Sequence, residues 1–426
     1  MIEQNNALMD LSPATESLLY LLALSTDEQK LAETLPGILD DRWSPILEAA
    51  AQHDLRLLLF NRLNNALAGL TPAWVLEQLQ ANYLAAAVRN TLMLHHAAEI
   101  LNSLKSAGLE VIVLKGLYLV ENVYANIALR TFGDIDLMVR RDSIADALKV
   151  MQHSGYSLSR WYDPAETNTD LKHLPPLEKP DAPTVEIHWT IVEETEPFCV
   201  EPQGLWQRAV TAIVAGVGVQ ALSLEDLLLH LSLHFTYQHR LQAGLRNLFD
   251  IAETLRCFGA QVDWQKLVQI AQEWGTERIT WLTFRLLREV TGVEVPTEVL
   301  QALQPHDGDD LIVAEALAQL FSKVHVELAF TPDLANLPAA GYGGKLRLVM
   351  QRIFIPRKVL AREYNVDPAS LKIYGYYLVR LRDLWRRYAR SGWGAMRGDE
   401  DALIAVNLRQ ANQQLHEWMV ERTPPL

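Results

Sequence analysis

The chain has 426 residues, 49% of them hydrophobic, and its 52 acidic residues outweigh 38 basic ones to give a formal charge of −14. This length and composition allow two or three domains with buried cores and exclude large-scale disorder. The acidic balance argues against attraction of the whole protein to nucleic acid, and two cysteines far apart, Cys199 and Cys257, suggest neither a disulfide framework nor a cysteine zinc cluster.

The N-terminal residues, Met1 to Asn6, contain no basic stretch leading into an apolar one, and no apolar run approaches the length of a bilayer span. The expectation is a cytoplasmic protein with no transmembrane segment. From about Ser12 to Gly108 the apolar residues recur with helical period, and Ala73 to Ala107 reads as one long helix rich in alanine and leucine that Gly108 ends.

The character then changes. Glu110 to Leu114 is β-branched and reads as a short buried strand, closed by Lys115-Gly116 and followed by a helix from about Leu117 to Ala125. After a polar turn through Thr131 to Gly133, residues 134–139 (Asp-Ile-Asp-Leu-Met-Val) alternate acidic and apolar side chains before becoming wholly apolar, as a strand with one functional face would. Ile144, Leu148 and Met151 mark an amphipathic helix stopped by Gly155, and Ser157 to Tyr162 predicts another strand.

Five prolines between Asp163 and Pro183 predict a loop over the surface, placed where it can cover a site. Thr184 to Ile191 returns to strand character. Ala209 to Leu222 reads as small strands turning at Gly216 and Gly218, and Ser223 with Asp226 resembles a capping box that opens a helical stretch reaching about residue 330. Between 345 and 397, thirteen Lys and Arg stand against Glu363, Asp367 and Asp383, about +10 by side-chain count. With its interleaved Tyr and Trp residues that stretch has a composition able to bind RNA, an anionic membrane surface or a phosphorylated partner. The plainer reading, in which its arginines pair with the acidic remainder of the chain and its aromatics pack, is preferred.

Asp134 and Asp136, two apart on a strand, project their carboxylates from one face about 6–7 Å apart at the backbone. They can converge on divalent cations that also hold substrate phosphates, the arrangement of two-metal phosphoryl transfer. An Asp-x-Asp alone is a weak signal. Here Leu137, Met138 and Val139 anchor the pair to a buried strand, where unpaired like charges are costly unless a cation compensates.

Upstream, Lys115 and Gly116 at a strand-to-helix junction could admit a phosphate to free N–H groups, or form an ordinary tight turn. Arg130 is a candidate for the triphosphate or for a structural ion pair with an aspartate. Downstream, Glu186 and His188 share one strand face. Glu186 could be a third metal carboxylate or the general base, and His188 could orient the acceptor or serve as a packing residue. His230 and His234, four apart, lack the glutamate of a zincin motif and read as structural or substrate-lining. Arg246 and Asp250, also four apart, predict a helical ion pair, with contact of Arg246 to a triphosphate as the minor option.

Residues 113–116 (Val-Leu-Lys-Gly), 129–139 (Leu-Arg-Thr-Phe-Gly-Asp-Ile-Asp-Leu-Met-Val), Gly155-Tyr156 and 185–189 (Val-Glu-Ile-His-Trp) resemble a bacterial nucleotidyltransferase family within the polymerase-beta-like superfamily. The likeness extends to His230 and His234, residues 245–250, Asp263-Trp264, and the helical section Trp43 to Leu67. It implies Lys115 and Gly116 at the phosphate-side turn, Asp134 and Asp136 as metal ligands, and Glu186 at the third acidic position. The chain departs from the superfamily pattern in having Lys-Gly for the more usual Gly-Ser, a longer gap to the first aspartate, and Glu for the commoner Asp as the third acid.

The expected fold is α+β, a small mixed-sheet nucleotidyltransferase core flanked by helical regions. The expected divisions are an N-terminal helical region (1–97), a catalytic domain (98–222), a helical domain (223–330) and a basic helical region (331–426). The expected reaction moves a nucleoside monophosphate from an NTP to an unidentified acceptor oxygen with Mg²⁺ or Mn²⁺. The alternatives are a non-catalytic nucleotide sensor or scaffold on the same fold, and an RNA-directed nucleotidyltransferase toxin using the basic segment.

Overall fold

A computed structural model of the chain describes residues 11–23, 28–35, 38, 40–158, 171–308 and 310–322, with parts of 354–384 and 411–421. Its contacts divide into two compact units, 1–320 with 419–426, and 321–418.

The first unit opens with helices α1 (Pro13–Leu22), α2 (Glu28–Thr34), α3 (Asp40–Gln52), α4 (Arg56–Ala66) and α5 (Ala73–Ser106). α5 is the expected long helix, ending where Gly108 takes a left-handed φ of 74°. Buried Asn90 on α5 turns its amide toward the next section, donating to the carbonyls of Ile127 and Arg130.

Seven strands follow, interleaved with short helices: β1 (Ile112–Val113), α6 (Lys115–Asn122), β2 (Asp134–Met138), α7 (Ile144–His153), β3 (Ser157–Leu158), β4 (Leu177–Glu178), β5 (Thr184–His188), α8 (Pro202–Arg208), β6 (Val210–Val214) and β7 (Val217–Ala221). They form one mixed sheet in the order β3-β4-β5-β2-β1-β7-β6. β2 pairs parallel with β5 and antiparallel with β1, which pairs parallel with β7. The register is set by alternation. Ile135, Leu137, Val185 and Ile187 are fully buried on one face, so the even-numbered residues of β2 and β5 must share the other.

The expected hairpin near 209–222 is β6–β7, turning through Ala215 and Gly216, both at positive φ as a two-residue hairpin turn requires. The proline-rich stretch departs from expectation. Residues 159–170 lie outside the described residues, but Lys172 onward is a strap rather than a free loop. Leu174 N–H donates to the Ile187 carbonyl, Trp189 N–H donates to the Lys172 carbonyl, and β4 pairs antiparallel with β5. Pro175 and Pro176 fall between these bonds, where no donor is needed.

The helical section comprises α9 (Leu224–Ser232), a π-helical turn (Leu233–Gln238), α10 (Arg246–Phe258), α11 (Trp264–Trp274), α12 (Glu277–Thr291), α13 (Thr297–Leu303) and α14 (Asp310–Leu320). Ser223 caps α9 by accepting from Asp226 N–H, as the spacing predicts. No helix among the described residues is long and apolar enough to cross a membrane. In the second unit, Leu360, Ala361 and Ile373 form a small core with Ile355 and three tyrosines. Most of the basic stretch 345–397 lies outside the described residues; where described, Arg382 pairs with Asp383, and the Arg357 guanidinium rests 5.0 Å from the Tyr374 ring centroid.

One ion pair ties the sheet to the helices. Arg130, just before β2, donates from Nε and Nη2 to both carboxylate oxygens of Asp250 on α10, at 2.8 and 2.9 Å, and Tyr124 adds a third donor at 2.8 Å. The expected Arg246–Asp250 pair therefore does not form. Asp250 points inward to Arg130, while Arg246 reaches back to Asp54 at 2.6 Å. Both Arg130 and Asp250 are buried, so removing one partner strands a charge. Asp250→Ala is expected to cost about 3–5 kcal/mol in urea unfolding, whereas Arg130→Met combined with Asp250→Leu recovers most of that loss.

Candidate active site

Asp136 and Glu186 are direct partners across the parallel β2–β5 pair, and Asp134 and His188 flank them on the same face. A local consequence of strand period thus becomes a non-local constellation: four chemically active side chains from two segments about fifty residues apart. Asp134 is at the solvent end, Glu186 is half-buried, and Asp136 and His188 are buried.

Asp136 carries its charge deep in the sheet. Burial works to raise its pKa, but the Lys115 ammonium, 3.5 Å from Oδ2, and the His188 Nε2–H, 3.0 Å from Oδ1, outweigh it and hold the carboxyl well below the usual range. His188 Nε2 is also 3.4 Å from Glu186, whose carboxyl is lowered chiefly by that hydrogen bond. Asp134 behaves oppositely. Burial and then the charge of Asp136 raise its pKa.

Side-chain donors of Asp136, Glu186 and His188 lie within 4.8 Å of one another and could hold a metal ion. The donor chemistry distinguishes the three. His188 Nε2–H is already spent on the carboxylates, and its buried Nδ1 has no partner. Metal on Nε2 would move the proton to Nδ1, where no acceptor supports it. The carboxylates therefore fit a hard cation, with His188 as their hydrogen-bond donor.

Lys115 begins α6 with a φ of 41°, a left-handed conformation that costs a non-glycine residue of order 1 kcal/mol or more and is stored at functional sites. Gly116, expected to admit a phosphate, has a different physical reason. A Cβ there would lie 2.7 Å from Arg130 Nη1 and 2.8 Å from Phe132 Cβ, so glycine is needed for the acidic loop to pack against α6. Arg130 and Arg246 are likewise turned to structure. Besides Asp250 and Asp54, their Nη1 groups lie 3.3 and 3.4 Å from the Thr131 carbonyl, where they hold the turn that leads into Asp134.

Sequence reasoning named His230 and His234 as structural or substrate-lining residues but missed Lys172, His173 and His239, which stand with them opposite the carboxylates. The strap contributes Lys172 and His173; the His173 ring lies 4.8 Å from that of His188, with Nε2 3.8 Å from Glu186. α9 and the π-turn contribute His230, His234 and His239, the last two joined Nε2 to Nε2 at 3.0 Å. Burial first, then the positive charge of Lys115, pushes all three imidazoles below their ordinary pKa, His230 and His234 strongly. The spacing of His230 and His234 was visible in the sequence, but its orientation toward β2 and β5 was not.

A mixed sheet carrying paired carboxylates opposite basic side chains defines a nucleotidyltransferase-like core between helices. Residues 40–292 match the family model described as uncharacterised nucleotidyltransferase, and the chain belongs to that family. No curated protein sequence matches it. A solved structure, titled "Solution Structure of Antibiotic-Resistance Factor ANT(2'')-Ia Reveals Substrate-Regulated Conformation Dynamics", is 14% identical, spans 40% of this chain and 87% of its own, and has a TM-score of 0.31. Likeness at that level carries no argument about this chain.

A buried, neutral histidine links stability to pH. His230 is uncharged when folded, while in the unfolded chain it takes up a proton near its ordinary pKa of about 6.5. The unfolded state then binds more protons, so stability holds above about pH 6.5 and falls below it, by up to about 1.4 kcal/mol per pH unit for one such group. Urea unfolding from pH 7.5 to 5 should show this decline, and His230→Gln should make it shallower, with His234 contributing the rest.

Proposed function

We propose that this protein transfers a nucleoside monophosphate from an NTP to an acceptor oxygen, releasing pyrophosphate, with Mg²⁺ or Mn²⁺ held by Asp134, Asp136 and Glu186. The observation that carries this reading is the register of β2 against β5, which sets Asp136 beside Glu186 with Asp134 on the same face. Three carboxylates so placed repel one another. Lys115 and His188 offset that repulsion, occupying positions beside Asp136 where added positive charge is favourable.

In the reaction, the acceptor oxygen forms a bond to the α-phosphorus as the bond from that phosphorus to the β-phosphate oxygen breaks. The bound cations would supply charge neutralisation at the attacking and leaving oxygens. Asp134, at the solvent end and with a raised pKa, is placed to meet a cation that arrives with the nucleotide. Glu186 completes the ligand set through one carboxylate oxygen, leaving the other to take up the acceptor's proton. Lys115, beside Asp136 at the start of α6, would be free to turn its ammonium to a phosphate if a cation took its place at that carboxylate. His188 keeps the buried carboxylates oriented.

Asp136→Asn and Asp134→Asn should each lower NTP-dependent pyrophosphate release by at least about a hundredfold, the scale of losing an electrostatic stabiliser of the transition state. Asp134→Asn, at the exposed position, should leave the thermal midpoint near that of the unaltered protein. Full activity in Asp134→Asn, measured with the four NTPs and a cell extract as acceptor source, would refute the assignment.

A further inference from the structure

We infer that Lys172, His234 and His239 form a subsite for the diphosphate tail of the nucleotide, opposite the carboxylates. This rests on the nucleotidyl-transfer reading above and adds the residues that would receive the leaving group.

Lys172 is a partly buried ammonium that has no carboxylate partner among the described residues. Its Nζ donates to Gln238 Oε1 at 2.9 Å, and among the described residues no carboxylate lies within salt-bridge distance of it. Gln238 is itself fixed, because its Nε2 donates to the Ile191 carbonyl at 3.0 Å, so its own carbonyl oxygen is aimed at the lysine. A neutral amide satisfies one of three ammonium donors, and the carboxylates of Glu196, Glu193 and Asp136 favour its charge only from beyond ion-pair distance. Lys172 also lies near enough to Lys115 that the second ammonium, after burial, lowers its pKa. Two cations held together inside a fold are unfavourable unless an anion visits them.

The π-turn supplies the rest of the wall. Its hydrogen bonds run from residue i+5 to i, as His239 N–H to the His234 carbonyl at 2.9 Å shows. That pitch places two histidines five apart above one another, their ring centroids 4.2 Å apart, where an α-helix would splay them. In the neutral pair one Nε2–H donates to the other Nε2. The accepting ring then carries its proton on Nδ1 and can donate it to an anion. His230 and Arg246 add to the basic side, since the charge of Arg246 is felt at His239.

The distribution of charge selects the ligand. Carboxylates on β2 and β5 face lysines and imidazoles from the strap and the π-turn, which suits a ligand that carries a cation at one end and an extended polyanion at the other. A metal-bound nucleoside triphosphate has that form. A cation held at Asp136 would leave Lys115 as well as Lys172 to be met by an anion. A phosphate on the acceptor has the same chemistry, so the test must separate the two sources.

The experiment is calorimetric titration of the full chain, in Mg²⁺ and in Mn²⁺, with each NTP, with the corresponding NMP and with inorganic pyrophosphate. Lys172→Met and His239→Asn are expected to weaken NTP and pyrophosphate binding by about 10- to 100-fold, the scale of a lost charge-assisted hydrogen bond, and to leave NMP binding unchanged. Lys172→Arg should retain most of the affinity, with thermal melting reporting that each variant is folded. NTP binding that is indifferent to Lys172→Met would overturn the inference and leave the transfer reading standing. Equal losses for NMP and pyrophosphate, or equal damage in Lys172→Arg, would mark a structural lysine and also overturn it. Pyrophosphate that binds but is not displaced by NTP would assign the wall to another phosphate and contradict the proposal. Failure of the unaltered protein to bind any NTP would remove the transfer reading itself.

Discussion

A carboxylate ionised inside a sheet sets the terms for everything around it. Asp136 is buried on a strand whose opposite face is solid hydrophobic core, so it cannot turn to water and must be compensated where it stands. The compensation comes from Lys115, held in a strained conformation at the start of α6, and from His188 on the neighbouring strand. Each of these groups is costly alone: a left-handed lysine, a buried imidazole with one unpartnered nitrogen, and a second carboxylate at Glu186 within reach of the first. The proposed function accounts for these costs together, since a bound cation would offset the charge they leave.

The positions of those groups depend on contacts far away in the chain. The turn that leads into β2 is held from three sides, by Asn90 on the long N-terminal helix, by Asp250 on α10 through Arg130, and by Arg246 at the Thr131 carbonyl. The absence of a side chain at Gly116 lets that turn lie against α6. Arg130, a candidate phosphate ligand in the sequence, thus helps to fix the strand that bears the acids. The match of the family description to residues 40–292 takes in the helices on both sides of the sheet, as expected if they hold the site rather than merely adjoin it.

Strand-scale chemistry was legible in the sequence because it obeys a period of two. Asp134 and Asp136 on one strand face, Glu186 and His188 on another, the β6–β7 hairpin and the Ser223 cap all follow from local rules. The mixed α+β fold was legible for the same reason. What escaped was set by long-range geometry. Arg130 pairs with a residue 120 positions away, and this displaced the local Arg246–Asp250 pair that helical spacing favours. Lys172 lies in a proline-rich stretch that reads as loop until it is seen lying along β5. His239 joins His234 only because the helix widens into a π-turn, for which the sequence carries no signal we recognise.

Anomalous diffraction from crystals grown with Mn²⁺ and a non-hydrolysable NTP tests the central claim most directly. The account predicts manganese density bound by oxygens of Asp134, Asp136 and Glu186, with Lys115 moved from Asp136 toward a phosphate. Carboxylates still engaged by Lys115 and His188, with manganese and nucleotide bound elsewhere on the molecule, would contradict it.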